Sequence, residues 1–95
     1  MKKIINYNYV FLFYDIKEKR VNKVFKICKK YLNHWQNSVF RGTITPSKII
    51  ELENELKKII IEDEDFISII KLMSEKEIGE TKLGNKINNS LDLII

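Results

Sequence analysis

The N-terminal half of this 95-residue chain contains only two acidic side chains, and one of them sits where chemistry could happen. In the stretch YVFLFYDIKEKR, Tyr9 to Arg20, an apolar and aromatic run ends at Tyr14 and is followed at once by Asp15, before a cluster of Lys and Arg. A single carboxylate is too few for a metal site and too polar for a core. In an extended segment Asp15 falls in the same alternating row as Phe11 and Phe13, because side chains on a strand point to opposite faces in turn. Two copies of the chain meeting about a two-fold axis near the end of that strand would set Asp15 opposite Asp15. Adjacent carboxylates repel unless they share a proton or a cation. A hard cation with oxygen ligands and retained water suits such a couple, and Mg²⁺ commonly takes only one or two carboxylates. In a basic protein it could activate water against a phosphodiester. The same residue could equally end a strand, cap a helix beginning near Glu18 and bind nothing. The residues themselves leave both readings open.

Other side chains offer less. His34 is the sole histidine and could serve as a general acid or base, but a half-exposed hairpin position explains it as well. Cys28 is the sole cysteine, so the chain has no internal disulfide and no cysteine-based zinc cluster, and its place in an apolar helical stripe reads as packing. Trp35 and Phe40 could stack on bases or fill a core or a seam between copies. Ser38 has no neighbouring base in sequence, which makes a hairpin hydrogen bond a better role for it than nucleophile.

The elements that must position these groups follow from periodicity. Tyr9 to Tyr14 reads as a strand with both faces apolar, Val10, Leu12 and Tyr14 on one and Tyr9, Phe11 and Phe13 on the other. From Glu18 to near Asn33 the period becomes helical, with Val21, Val24, Phe25, Cys28, Tyr31 and Leu32 on one stripe. Residues 34–45, HWQNSVFRGTIT, suit two short strands turning near Asn37 and Ser38. Thr45-Pro46 is an N-cap followed by proline at the first helical position, and Ile49, Leu52, Leu56, Ile59 and Ile60 line the buried side of a second helix. After an acidic loop, Asp63-Glu64-Asp65, Phe66 to Met73 reads as another strand. The segment ETKL, residues 80–83, is expected as a fifth short strand within a C-terminal extension over 74–95. The order βαββαβ is the ferredoxin-like α+β plan in one domain spanning 1–95. Both helices then cover one sheet face, and apolar residues on the other face call for a second copy, hence a homodimer through the open sheet faces.

Charge is divided unevenly. Residues 1–48 hold 11 Lys and Arg against 2 Asp and Glu, a surplus of +9, whereas residues 49–95 hold 6 against 11, or −5. Lys19, Lys23, Lys26, Lys29 and Lys30, with Arg41, are candidates to bind nucleic acid through its phosphates, with a solvated lysine face as the plain alternative. No secretory signal or membrane-length apolar segment is legible, so the expected location is cytoplasmic, away from any membrane.

Tyr14-Asp15-Ile16 after an apolar strand, Arg20 in the first helical turn, Gln36-x-Ser38-Val39-Phe40 in the hairpin and a late Leu83-Gly84 together resemble the CRISPR-associated Cas2 family of spacer acquisition, in order and spacing over essentially the whole chain. The resemblance implies a ferredoxin-like homodimer whose C-terminal strand reaches the partner's sheet. It also implies a role in CRISPR adaptation, holding double-stranded prespacer DNA as a scaffold for a CRISPR integrase subunit. Metal-dependent endonuclease activity, on single-stranded RNA or on double-stranded DNA, is reported for some members. By the same resemblance Asp15 is the catalytic and metal-ligating acid, with Tyr14, Arg20, Ser38 and Phe40 as supporting residues and Mg²⁺ as cofactor. A stand-alone ribonuclease toxin or an RNA-binding module on this fold is the alternative. The chain departs from the family pattern in having Val21 after Arg20, His34 where arginine is frequent, and Arg41 where an acid often follows the phenylalanine. The first two remove cations that could position phosphate near Asp15, which bears on nuclease turnover more than on duplex binding.

Overall fold

A computed structural model describes residues 6–84. Four strands and two helices follow in the order β1 (Tyr9–Asp15), α1 (Glu18–Tyr31), β2 (Asn33–Gln36), β3 (Val39–Thr43), α2 (Pro46–Ile59) and β4 (Phe66–Leu72), with one 3₁₀ turn at Glu75–Glu77. The sheet order is β2-β3-β1-β4 and every pairing is antiparallel, the ferredoxin-like arrangement expected from the element order.

Strand alternation divides the sheet into a covered and an uncovered face. Val10, Leu12 and Tyr14 of β1 and Phe40 of β3 point toward the helices, where they meet Val24 and Cys28 of α1 and Ile49, Leu52 and Leu56 of α2 in one buried cluster. The opposite face carries Phe11, Phe13 and Asp15 of β1, Arg41 of β3 and Phe66 and Ile70 of β4. Phe66 is 61% exposed and Ile70 47%, so a contiguous apolar surface faces solvent in the single chain.

Local signals set the helix ends. Thr45 accepts a hydrogen bond from the Lys48 amide at 3.3 Å and Pro46 opens α2, as its sequence implies. At α1 the cap position is Lys17, which supplies no side-chain bond, so Asp15 is not the cap of that helix. The hairpin turns at Asn37, whose φ of 43° lies in the left-handed region that asparagine tolerates. Among the described residues no helix is long and apolar enough to cross a membrane.

The expected fifth strand is absent: residues 80–83 carry no strand pairing. The chain leaves the sheet after Leu72 through a capping box between Ser74 and Glu77. It then returns over the far end of the uncovered face, where Glu80 pairs with Arg41 at 3.3 Å and Tyr9 is only 5% exposed. A segment held there by side-chain contacts has no sheet edge beside it to continue. The tail from residue 85 onward, expected to dock on a sheet, lies outside the described residues.

Candidate active site and nucleic-acid surface

Asp15 closes β1 and is exposed, on the uncovered face, at the opposite end from the Arg41–Glu80 contact. Its register partner on β4 is Phe66, and the next residue inward in its row is Phe13. The acid is thus bordered by apolar rings on a flat sheet surface. Among the described residues no group of three or more His, Cys, Asp or Glu gathers to hold a metal ion, so one chain offers Asp15 alone. A lone hard-oxygen donor fits Mg²⁺ only where a second carboxylate or retained waters complete the shell.

The residues expected to support Asp15 lie elsewhere. Tyr14, one residue back, points to the helix side; burial raises its hydroxyl pKa, with Cys28 adding to the rise and Ser38 opposing it. Its amide donates to the Ser38 carbonyl at 3.1 Å, which ties the hairpin to the end of β1. Phe40 is fully buried and packs on Tyr14, Phe25 and His34 at centroid distances of 6.2, 5.2 and 5.0 Å. It fills the core and presents no face to a base. Strand parity is the reason: Tyr14 and Phe40 are on the rows that face the helices, and Asp15 is on the other.

Arg20 is the largest departure. Its side chain is buried rather than free to meet phosphate, with Nε donating to Asp65 Oδ2 at 2.6 Å and Nη2 to Asp65 Oδ1 at 3.0 Å and to Glu64 Oε1 at 2.7 Å. Asp65 is fully enclosed and also accepts the amides of Lys17 at 2.9 Å and Ile61 at 2.8 Å. The Arg20 hydrogen bonds, followed by those two amides, hold the Asp65 carboxyl well below the usual carboxylate range against the opposing effect of burial. The acidic run 63–65 reads from sequence only as a loop. The signal that could have found the pair is Arg20 itself, which lies four residues before Val24 and eight before Cys28, on the buried stripe of α1. A buried arginine requires an acid, and three stand together at 63–65.

The basic residues divide between the two layers. Lys19, Lys23, Lys26, Lys29 and Lys30 are all exposed on α1. Lys30 pairs with Glu55 at 2.5 Å and Lys29 lies over the Phe25 ring at 5.8 Å, whereas Lys19, Lys23 and Lys26 have no ion pair among the described residues. Spaced four and three apart, these three form a free positive stripe. Arg41 does not belong with them. It sits on the uncovered sheet face, 4.4 Å from the Trp35 ring centroid and tied to Glu80. Two groups drop out of any chemistry. Cys28 is buried, and desolvation pushes its thiol up to about 12; the His34 imidazole meets the Asn37 carbonyl at 2.8 Å while its ring packs on Phe25 and Phe40.

The family model for CRISPR associated protein Cas2 matches residues 8–80. A CRISPR-associated endoribonuclease Cas2 of Thermotoga maritima is 41% identical over 76 residues, spanning 80% of this chain and 87% of that protein. One from Methanosarcina acetivorans is 34% identical over 86 residues, spanning 90% and 99%. A crystal structure of a Cas2 superposes with a TM-score of 0.77 at 35% identity over 87% of this chain and 93% of its own. That of Streptococcus pyogenes Cas2 does so with 0.69 at 30% over 80% and 99%.

Proposed function

The chain belongs to the CRISPR associated protein Cas2 family, and from that membership we propose that it acts as a homodimeric, Mg²⁺-dependent endoribonuclease whose reacting acid is Asp15. The observation that carries this reading is the position of Asp15, a solvent-exposed carboxylate between Phe13 and Phe66 on an apolar sheet face where, among the described residues, Phe66 and Ile70 stay largely exposed. Pairing that face with a second copy buries the rings and brings two carboxylates together.

Each chain's contribution follows from its position. The β1 backbone, paired with β3 as far as Phe13 and with β4 through Asp15, fixes the position of Asp15 at the end of the strand. Phe13 and Phe66 exclude water around the couple, so charge interactions there are stronger than at an open surface. One Asp15 carboxylate takes a proton from the water whose oxygen bonds to phosphorus, the P–O bond to the departing sugar oxygen breaks, and the carboxylic acid returns the proton to that oxygen, while the second Asp15 orients the water. The two Asp15 carboxylates would hold Mg²⁺ between them, and the ion would supply positive charge to offset their repulsion and the charge developing on a phosphate.

The free stripe of Lys19, Lys23 and Lys26 supports a second activity on the helical layer: holding duplex prespacer DNA as a scaffold for a CRISPR integrase subunit. Point charges on a helix suit a phosphate backbone and carry no base specificity. The test of the first reading is cleavage of single-stranded RNA, with duplex DNA in parallel, by the wild-type chain and by Asp15→Asn. Loss of Mg²⁺-dependent cleavage in Asp15→Asn, with the dimer intact, supports it; undiminished cleavage in a clean preparation refutes it.

A further inference from the structure

Asp65 stands beside the β1–β4 ladder's last rung and continues it with a side chain. The rung itself is Asp15 opposite Phe66. Beyond it β1 gives way to a two-residue connection, Ile16 and Lys17, and the Asp65 carboxylate takes the Lys17 amide. Lys17 is the cap residue of α1, so this amide is one of the donors that a helix start leaves without an internal partner. In a capping box an acid three residues into the helix satisfies it. Here that third position is Arg20, a cation, which reaches 45 residues along the chain to clamp the acid that does the work instead.

We infer that Asp65, clamped by Arg20, is a positioning residue for Asp15, fixing the turn through which the acid's strand enters α1. The inference rests on the reading of Asp15 as the reacting group. Its physical ground is the completeness of the arrangement. The carboxylate receives Arg20 Nε and Nη2 and the amides of Lys17 and Ile61, so both oxygens are held from two directions. Glu64 accepts from Arg20 as well and fixes the fork from outside. A buried ion pair is a weak source of net stability compared with apolar packing, and its best-supported use is to specify one geometry. Three segments converge on this carboxylate just before β4: the turn after Asp15, the first turn of α1 and the loop that follows α2. The strand's other connection, Tyr14 to the Ser38 carbonyl, lies on the far side of β1. Between them the two contacts hold the acid's strand end from both edges.

The test uses the full chain as wild type, Asp65→Asn and Arg20→Lys. Amide hydrogen exchange is followed by NMR at Lys17 and, as an internal reference for global opening, at Leu52 and Leu56 of α2. Single-turnover cleavage of single-stranded RNA with Mg²⁺ is measured alongside. The expected result is Lys17 exchange at least about tenfold faster in Asp65→Asn beyond any change at Leu52 and Leu56. It is accompanied by a fall in the cleavage rate constant of roughly 10- to 100-fold with KM within about twofold of wild type. Arg20→Lys keeps both charges and loses the fork; it shows the same pattern more weakly and remains the measurable variant if Asp65→Asn does not fold. Equal acceleration at all three amides assigns the pair to stability alone and overturns the inference. So does local loosening at Lys17 with an unchanged rate constant, in a protein that Asp15→Asn inactivates. If wild-type cleavage is indifferent to Asp15→Asn, the nuclease reading fails and the positioning role falls with it, whereas failure of the positioning role alone shows as an unchanged rate constant in Asp65→Asn beside an inactive Asp15→Asn.

Discussion

Asp15 and Phe66 face each other across the last rung of the β1–β4 pair, a carboxylate and a largely exposed ring side by side on the uncovered sheet face. Neither arrangement is what an isolated chain favours. An exposed aromatic cluster beside a charge is the composition of a buried seam with a polar centre, which is why a second copy of this face is the natural cover.

Phe66→Glu tests that contact. It sets a second acid beside Asp15 and removes an apolar anchor, so the dimer dissociation constant is expected to rise by at least about thirtyfold, the equivalent of a hot spot of about 2 kcal/mol. Sedimentation velocity across a concentration series reads the change, and far-UV circular dichroism should show the fold retained because the ring packs on little within its own chain. A variant that sediments like the wild-type dimer places the interface elsewhere.

The lysine stripe carries a separate expectation. Duplex affinity should fall steeply between about 50 and 200 mM salt, with a slope that lessens by about 0.9 for each of Lys19, Lys23 and Lys26 that meets a phosphate and is changed to alanine. Arg41→Ala should leave the slope as in wild type, since Arg41 lies across the sheet and is held by Trp35 and Glu80. Fluorescence anisotropy with a labelled duplex measures both. A flat wild-type profile would remove the phosphate-binding claim.

Acid unfolding reports on Asp65. Its carboxyl is held below the ordinary value of 3.8, chiefly by Arg20, so the folded state loses this proton more readily than the unfolded chain does. The stabilisation is therefore complete above the unfolded value and is lost as pH falls through and below it. Urea midpoints for wild type and Asp65→Asn should differ by a constant amount above about pH 5 and converge below about pH 4. The Glu64 carboxyl is lowered in the same direction by Arg20, but it is partly exposed and contributes less. A gap that widens on acidification contradicts the assignment.

Much of this was legible in the sequence, and the boundary has a physical cause. The strand Tyr9–Asp15 announced itself because its apolar residues fill both faces, and parity alone put Asp15 in the row of Phe11 and Phe13. Thr45-Pro46 and Asn37-Ser38 marked a helix start and a hairpin through local backbone chemistry, which needs no distant partner. What escaped depends on residues far apart in the chain. Arg20 reads as one more cation of a basic turn until Asp65 is beside it. Arg41 reads as part of the basic half until hairpin register puts it on the layer opposite the lysines. Phe40 follows the same rule: the register Leu12 opposite Phe40 turns its ring inward, and no local pattern announces that. The segment 80–83 has strand-like composition but sits where a side-chain pair, not a sheet edge, receives it.

The central claim is that two Asp15 carboxylates from two chains share one cation, and counting cations per dimer tests it most directly. Native mass measurement with Mn²⁺ in place of Mg²⁺ is expected to find a dimer carrying one specifically bound ion, absent from the Asp15→Asn dimer. One ion per chain, or the same occupancy in Asp15→Asn, would contradict it.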